Sequence, residues 1–301
     1  MQFSYANYTT LGTQNNMINM APANRVDLLV KAPTQPGTYT LTAQPNEGLP
    51  LDPGAGFTPD PAVTLLTVSV DGTAVSPTQD FIQSESDFPT FPAYLADVSV
   101  ADISVRREVV FSGGNSKIDG KTFDSSTYNQ IMKLNSAEEW KISNQANDKS
   151  HPFHIHVNPF QITEVFMPNA ENTTDPNKPC YVDNLKPETW KPCTPIPATF
   201  VWWDVFAIPT GKEYDVTAQC TSNGAIDLKN CPSAIQPYVA CATRSGKTTC
   251  TETVPGHFKM RSRFVDFTGT YVLHCHILIH EDRGMMQLVQ VVPNTPPYVH
   301  H

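Results

Sequence analysis

The sequence predicts an all-β protein built as a β-sandwich, and three observations support this fold class. Seven short segments are rich in β-branched residues, alternate in part between apolar and polar positions, and are mostly bounded by Gly, Pro, Asn or Asp. Proline is abundant, with 27 residues against 15 glycines, which favours short strands and turns over long helices. No segment keeps a helical periodicity over three turns. Many short strands separated by turns are typical of a sandwich.

The predicted strands run along the whole chain. In order they are RVDLLVKA (25–32), GTYTLTAQ (37–44), TLLTVSV (64–70), REVVFSG (107–113), EEWKISN (138–144), FQITEVFM (160–167) and MQLVQVV (286–292). Residues 46–61 are predicted to form a loop, and the Pro-, Ser- and Asp-rich residues 76–93 a linker. We therefore expect a partial sandwich at 1–75, a linker at 76–100 and a complete sandwich at 101–295.

A weak internal repeat supports two related sandwiches. Residues 37–44 (GTYTLTAQ) align with residues 269–276 (GTYVLHCH), so that Thr-Ala-Gln in the first copy becomes His-Cys-His in the second. Chance similarity between two strands is the alternative. The first unit has only about 75 residues before the linker, whereas a complete sandwich of this type needs about 100. We therefore expect its N-terminal strands to lie outside this chain.

The cysteines and the net charge restrict the compartment and the partners. Six cysteines lie in loop-like sequence and suggest up to three disulfides in insertions of the second domain; they are Cys180, Cys193, Cys220, Cys231, Cys241 and Cys250. Disulfides predict an extracellular or periplasmic location, with a leader removed or a chain that begins partway through a protein. A net charge of −9 makes nucleic acids and anionic membranes poor partners. No apolar run reaches about 18 residues, the length that a membrane span requires.

The seventh cysteine, Cys275, lies between two histidines in the segment GTYVLHCHILIHEDRGMM, residues 269–286. Side chains alternate between the two faces of a strand. His274 and His276 are therefore predicted to share one face, while Cys275 points to the other. Two metal sites can then lie on opposite faces of one strand and be joined through a few covalent bonds.

Partners for Cys275 occur just after it and in a second motif. His280 and Met285 follow it by five and ten residues. A thiolate, an imidazole and a weak thioether suit a copper electron-transfer centre, which also needs a second histidine. The motif HPFHIH supplies this histidine as His151, because Pro152 disturbs the strand after it. The first predicted site is therefore a trigonal centre of two histidines and one cysteine, with an axial methionine.

The remaining histidines of the two motifs form a second predicted cluster, on the opposite face; they are His154, His156, His274 and His276. Zinc is the rival ion, but structural zinc sites usually use CxxC knuckles, which this sequence lacks. An isolated HxH is more often a half-exposed polar pair, and the joint pattern HPxHxH…HCHx3Hx4M outweighs that alternative. His257 is expected to be a solvated loop residue. Trp202 and Trp203 are expected to lie in the core rather than on a substrate surface.

The segments SHPFHIHVNPFQITEV (150–165) and GTYVLHCHILIHEDRGMMQLVQVV (269–292) resemble the two C-terminal copper motifs of the multicopper oxidases, the laccase-like family. The resemblance covers residues 101–293 well and residues 1–72 more loosely, as the end of a middle domain. It implies a cupredoxin-like Greek-key β-sandwich. It assigns type 1 copper to His151, Cys275 and His280 with Met285 axial, type 2 copper to His154, and type 3 copper to His156, His274 and His276.

The resemblance also implies an activity. A small phenolic or similar aromatic reductant would be oxidised one electron at a time, electrons would pass from Cys275 to His274 and His276, and dioxygen would be reduced to water. Glu281 would shuttle protons, with a solvated acidic loop as the alternative. The family's trinuclear site takes eight histidines, and four of them come from N-terminal motifs that this sequence lacks. We therefore expect an N-terminal part of the same enzyme as a partner; the alternative is a mononuclear type 1 copper electron-transfer module or an inactive fragment.

Overall fold

The computed structural model describes residues 20–25, 35–43, 61–72, 93–112, 116–168 and 202–293. Residues 26–32 of the predicted strand at 25–32, most of the predicted loop and linker, and Cys180 and Cys193 lie outside these ranges. Within them the chain is nearly all β, with one short α-helix, α1, at Leu278–Asp282. The strands are β1 Gly37–Ala43, β2 Val63–Val70, β3 Ile103–Phe111, β4 Tyr128–Lys133, β5 Ser136–Asn144, β6 His151–Ile155, β7 Phe160–Phe166, β8 Trp202–Trp203, β9 Val205–Ile208, β10 Lys212–Asp215, β11 Thr221–Ser222, β12 Ala225–Ile226, β13 Val239–Arg244, β14 Lys247–Val254, β15 Gly256–Phe264, β16 Gly269–Cys275 and β17 Met286–Val292.

Two five-stranded sheets form the sandwich. One has the order β3-β5-β15-β7-β8 and the other the order β4-β17-β16-β6-β9. Strands β3 to β7 alternate between the sheets, and the pairs β3/β5 and β4/β17 are parallel while the other pairs are antiparallel. Rings from both sheets meet in the core, as Phe153 and Phe258 do with centroids 5.8 Å apart. The predicted all-β sandwich is confirmed.

A buried ion pair lies at the side of this core. Glu138 is almost completely buried, and its Oε2 lies 2.6 Å from Nε of Arg107. The indole N–H of Trp140 donates to the same carboxylate at 2.8 Å. A buried carboxylate needs partners for its lone pairs. Arg107 and Trp140 supply them, and loss of Arg107 would leave a buried carboxylate without a cation beside it.

His257 is not the solvated loop residue that the sequence predicts. It lies in β15, its side chain is only 12% exposed, and its Nε2 lies 3.0 Å from Oε1 of Glu164. Its ring stacks on Phe166 with centroids 4.9 Å apart. Burial lowers the pKa of His257, although Glu164 opposes this effect. The expectation was wrong because β7 pairs with β15 in the same sheet and places Phe166 opposite His257, and a contact between strands leaves no signal near His257 in the sequence.

Residues 93–102, part of which fall in the predicted linker, pack against the sandwich. Val98 is fully buried beside Trp202, whose indole N–H donates to the carbonyl of Leu95 at 2.9 Å. Trp203 packs, partly buried, against the main core. Both tryptophans therefore belong to the core, as expected. The domain boundaries predicted from the sequence stay predictions.

A small disulfide-linked module lies between β10 and β15. Cys220 bonds to Cys231, and Cys241 bonds to Cys250 across the β13–β14 hairpin. These cysteines pack with a few apolar side chains in a core of their own; the buried ones are Val216, Ile235 and Val239. The predicted disulfide-containing insertion is confirmed for these four cysteines.

The internal repeat corresponds to strands in both copies. β1 pairs with β2 in a two-stranded antiparallel sheet, and β16 aligns with β1 over its seven residues. β1 is mostly exposed, whereas β16 lies in the middle of a five-stranded sheet. Among the described residues, no helix has the length and apolar character needed to cross a membrane.

Candidate metal centre

The two histidine motifs lie on neighbouring strands of one sheet. β6 and β16 pair antiparallel, with His274 opposite His154 and Cys275 opposite Phe153. Residues directly opposite each other in an antiparallel pair project to the same face. His154 and His274 therefore share one face, and Cys275 projects to the other. His276 follows the end of β16, and its N–H donates to the carbonyl of Pro152 at 2.8 Å.

Cys275, His151 and His280 bring three donor atoms together. Sγ of Cys275 lies 3.4 Å from Nδ1 of His151 and 3.8 Å from Nδ1 of His280, and the two nitrogens are 3.3 Å apart. An ion about 2.0 Å from nitrogen and about 2.3 Å from sulfur, in a trigonal plane, separates its donors by about 3.5 to 3.8 Å. The triangle therefore fits a transition-metal ion with only small movements.

The electrostatics of this triangle suit a neutral, desolvated donor set. Burial, reinforced by the neighbouring His280, lowers the pKa of His151 to about 3. Burial also lowers the pKa of His280 and raises the pKa of the Cys275 thiol to about 12. Both imidazoles therefore offer lone pairs at neutral pH, while the thiol keeps its proton until an ion displaces it. Two imidazoles and one thiolate are donors that copper accepts.

Met285 is tied to the same loop through the main chain. The N–H of Cys275 donates to the carbonyl of Met285 at 3.1 Å, and the N–H of Met285 donates to the carbonyl of His280 at 2.9 Å. The Met285 side chain is fully buried in the core cluster that also contains Cys275. The main chain therefore keeps Met285 next to the loop that carries the triangle, and its axial role stays a prediction.

Four imidazoles cluster on the opposite face of β16. Nε2 of His156 lies 3.2 Å from Nε2 of His274, so one ion can bind both rings. The ring of His154 lies 4.8 Å from that of His156, 5.2 Å from that of His274 and 5.7 Å from that of His276, measured between centroids. All four histidines predicted for the second site are thus brought together.

Hydrogen bonds at Nδ1 orient two of these rings. Nδ1 of His154 lies 2.8 Å from the carbonyl oxygen of Asp204. Nδ1 of His274 lies 3.2 Å from the carbonyl of Cys275 and 3.2 Å from Oε2 of Glu281. Because these partners only accept, the proton lies on Nδ1 and Nε2 keeps its lone pair for an ion. Burial lowers the pKa of His274, which favours its neutral form.

Sequence reasoning missed Asp204 because a main-chain carbonyl leaves no mark in a sequence. The family resemblance implied a role for Glu281, which directly follows His280, and the structure places its carboxylate beside His274 on the other face of β16. The Glu281 side chain is 28% exposed, so it contacts both the imidazole cluster and solvent. Its role in proton transfer stays a prediction.

Comparison with known sequences decides the family. Residues 95–226 and 232–295 match the family model described as multicopper oxidase. The chain belongs to the multicopper oxidase family. The resemblance that the two histidine motifs indicate is therefore confirmed.

Individual relatives are similar over part of their length. Multicopper oxidase mco of Staphylococcus aureus is 25% identical over 180 residues, which cover 59% of this chain and 25% of that protein. Multicopper oxidase mco of Staphylococcus haemolyticus (strain JCSC1435) is 25% identical over 193 residues, which cover 62% of this chain and 27% of that protein. The chain thus spans about a quarter of the length of the curated relatives that it matches.

Solved structures of multicopper oxidases are also similar to this chain. A laccase from Pediococcus acidilactici Pa5930 matches with 19% identity and a TM-score of 0.40, over 73% of this chain and 32% of that one. A multicopper oxidase from Campylobacter jejuni, described as a metallo-oxidase, matches with 16% identity and a TM-score of 0.43, over 87% of this chain and 42% of that one.

Proposed function

We propose that this chain provides the type 1 copper centre and half of the trinuclear ligand set of a laccase-like multicopper oxidase. The enzyme oxidises small phenolic or similar aromatic reductants and reduces dioxygen to water. One observation carries the proposal: a triangle of one cysteine and two histidines and a cluster of four imidazoles lie on opposite faces of β16. Cys275 belongs to the triangle and is covalently adjacent to both His274 and His276, so a few bonds join the two sites.

Each group of residues has a defined part in this proposal. His151, Cys275 and His280 would hold the first ion, with Met285 as the proposed weak additional ligand, and the four clustered histidines would hold half of the second site. Bound copper supplies one-electron transfer at the first site and dioxygen reduction at the second. The protein excludes water from the first site, because Cys275 and His151 are almost fully buried. It also presents Nε2 of His154 and His274, because their Nδ1 atoms already donate.

The reductant reaches the first site at His280. Of the three ligands in the triangle, His280 alone is partly exposed. Leu278 and Ile279, which precede it in α1, expose their side chains to solvent. An aromatic reductant gains from contact with such apolar side chains, and this arrangement favours an organic donor at the exposed edge of the His280 ring.

The second site requires a partner. The family resemblance implies eight histidines, and the four clustered here are half of that set. We therefore propose that an N-terminal part of the same enzyme supplies the other four. Glu281 hydrogen-bonds His274 and is partly exposed, which supports its proposed part in moving protons between solvent and the cluster. The two disulfides of the module support an extracellular or periplasmic location.

Copper loading tests the first site. We expect the copper-loaded chain to show a blue thiolate-to-Cu(II) absorption band, and Cys275→Ser to be colourless. A matched control is Cys241→Ala/Cys250→Ala, which alters two cysteines of the separate module and should keep the band. A loaded wild-type chain without the band would rule out the type 1 assignment.

Oxygen uptake distinguishes the oxidase from the mononuclear electron-transfer module. The triangle brings its three donors together, whereas the imidazole cluster supplies only four of the eight histidines that the family resemblance implies, so the electron-transfer module is the second candidate. The chain alone should bind one copper ion tightly and reduce no dioxygen. Uptake that appears only when an N-terminal part with four histidines is joined to the chain would support the oxidase. Failure of that joined protein to consume oxygen would leave the electron-transfer module.

A further inference from the structure

We propose that the turn formed by residues 21–25 is a positioning clamp for His154 and acts through Asp204. The clamp consists of Asn24 and Arg25, which lie far from both histidine motifs in the sequence. It holds the main chain whose carbonyl sets the tautomer of His154. The part of this inference that concerns metal affinity rests on the proposed function, whereas the part that concerns the tautomer does not.

Asp204 is the residue at which the chain passes between the two sheets. Strand β8 ends just before it and pairs with β7, while β9 begins just after it and pairs with β6 in the other sheet. The carbonyl of Asp204 accepts from Nδ1 of His154 at 2.8 Å and from the N–H of Ile155 at 3.3 Å. The position of this one peptide group therefore decides which nitrogen of His154 keeps its lone pair.

Asn24 and Arg25 hold this crossover from its outer side. Nδ2 of Asn24 donates to the carbonyl of Val205 at 3.0 Å. The guanidinium of Arg25 lies 2.5 Å from Oδ2 of Asp204. The contacts act on two consecutive residues, so they restrain both the place and the orientation of the peptide groups between β8 and β9. The partners are separated by 181 and 179 residues, which makes this a tertiary contact.

Hydrogen bonds within residues 21–25 hold the turn together, in addition to its contacts with β9. The N–H of Asn24 donates to the carbonyl of Ala21 at 3.0 Å, and Oδ1 of Asn24 accepts from the N–H of Ala21 at 2.8 Å. Ala23 has a φ of 69°, and its carbonyl accepts from Arg25 at 2.8 Å. Asn24 thus uses its side-chain oxygen within the turn and its side-chain nitrogen on β9. Asn24→Asp keeps the side-chain oxygen that accepts from Ala21 and removes the side-chain N–H that donates to Val205. It therefore breaks the contact with β9 without breaking the turn.

The tautomer of His154 in the metal-free chain measures the clamp directly. The measurement is NMR on the protein with 15N-labelled histidine at pH 8, where the two-bond 1H–15N correlations of each ring report its tautomer. The His154→Gln variant identifies the signals of His154. Wild-type His154 should be the Nδ1–H tautomer with a slowly exchanging proton. Asn24→Asp/Arg25→Ala should populate the other tautomer and speed exchange about fivefold, the factor equivalent to about 1 kcal/mol for one net hydrogen bond.

Two further variants make the result specific. The single variant Arg25→Lys keeps Asn24 and keeps a cation for Asp204. The exchange rate of its His154 ring proton should therefore be close to that of the wild type. Arg106→Ala removes an equally exposed arginine that pairs with Glu139 on the other sheet, and it should change nothing at His154. Copper affinity at the imidazole cluster, measured by chelator competition, should fall about fivefold in the clamp variant only. Mutation of a direct hydrogen-bond partner of a metal-bound histidine typically lowers metal affinity by about 10- to 100-fold. The effect expected here is smaller because the clamp acts one contact further away.

The outcomes separate the two proposals. An unchanged tautomer and exchange rate in Asn24→Asp/Arg25→Ala would overturn the clamp, and so would an equal change in Arg106→Ala. A shifted tautomer in a variant with a wild-type melting temperature would support it. If the tautomer shifts but wild-type chain binds no copper at His154, the clamp stands and the proposed metal role of that residue fails.

Discussion

Metal binding at the triangle of Cys275, His151 and His280 is expected to release one proton. In the metal-free chain, burial raises the pKa of the Cys275 thiol to about 12, so the thiol is protonated at neutral pH. The thiolate is the form that binds a metal. Burial lowers the pKa of His151 to about 3 and also lowers that of His280, so both imidazoles are mainly neutral above pH 7 and contribute little to the proton release.

The size of this effect follows from the depth of the site. Ionising a thiol of pKa about 12 at pH 7 costs about 7 kcal/mol, since the difference is five pH units at about 1.36 kcal/mol each. Structural zinc binding supplies about 10 to 16 kcal/mol in small peptides, so an ion of this class can offset that cost. Each pH unit reduces the cost by the same 1.36 kcal/mol. The apparent affinity should therefore rise tenfold per unit between pH 7 and pH 9.

Calorimetry in buffers of different ionisation enthalpy counts the protons released, and chelator competition gives the affinity at each pH. Cys275→Ser serves as the control, because a serine hydroxyl has no comparable ionisation, and its affinity should be weak and nearly independent of pH. Release of no proton by the wild-type chain would refute the reasoning, since the thiol would then be ionised before binding. Release of two would refute it as well, because an imidazole would then be protonated in the metal-free site.

Three further predictions concern stability. Arg107→Met should destabilise the metal-free chain by about 3 to 5 kcal/mol in urea unfolding, because it removes the cation that faces the buried Glu138 carboxylate, and Arg107→Met/Glu138→Leu should recover most of the loss. Gly256→Ala should lower stability by about 2 to 3 kcal/mol in the same assay, because a Cβ there lies 2.3 Å from the carbonyl oxygen of Pro209, and wild-type stability would contradict this contact. His151 has a depressed pKa in the folded chain, so its contribution is present above about pH 6.5 and is lost as the pH falls towards 3, by up to about 5 kcal/mol. Unfolding curves recorded across that range should show the loss, and a flat profile would contradict it.

Strand alternation was sufficient to predict the division of the two sites. His274 and Cys275 occupy successive positions of β16, and successive positions face opposite sides whatever the rest of the chain does. The contact between Cys275 and His151 was predictable only from the type of donor that the site still needed. The 3.4 Å approach itself comes from the pairing of β6 with β16, which depends on the whole sheet.

The parts that could not be predicted depend on contacts distant in sequence. The carbonyl of Asp204 reaches His154 because two strands in different sheets meet at that residue. The burial of His257 depends on β7, the neighbouring strand that supplies Phe166 and Glu164. Glu281 follows a residue of the triangle yet contacts His274, because it lies in α1, within the segment that reverses the chain between the antiparallel strands β16 and β17. No local pattern encodes these three contacts.

The hydrogen bonds that join Cys275 to Met285 and Met285 to His280 affect how the triangle would lose and rebind a metal ion. They close the ligand loop by main-chain contacts, independently of any ion. A chain whose proposed copper ion has been removed should therefore keep the arrangement of these ligands and bind the ion again without refolding. Under the proposed function, these main-chain hydrogen bonds would also hold the ligands in similar positions in both oxidation states of the ion, which would lower the rearrangement that accompanies each electron transfer. The polypeptide thus forms the ligand loop by itself, and the metal would bind to a preformed site.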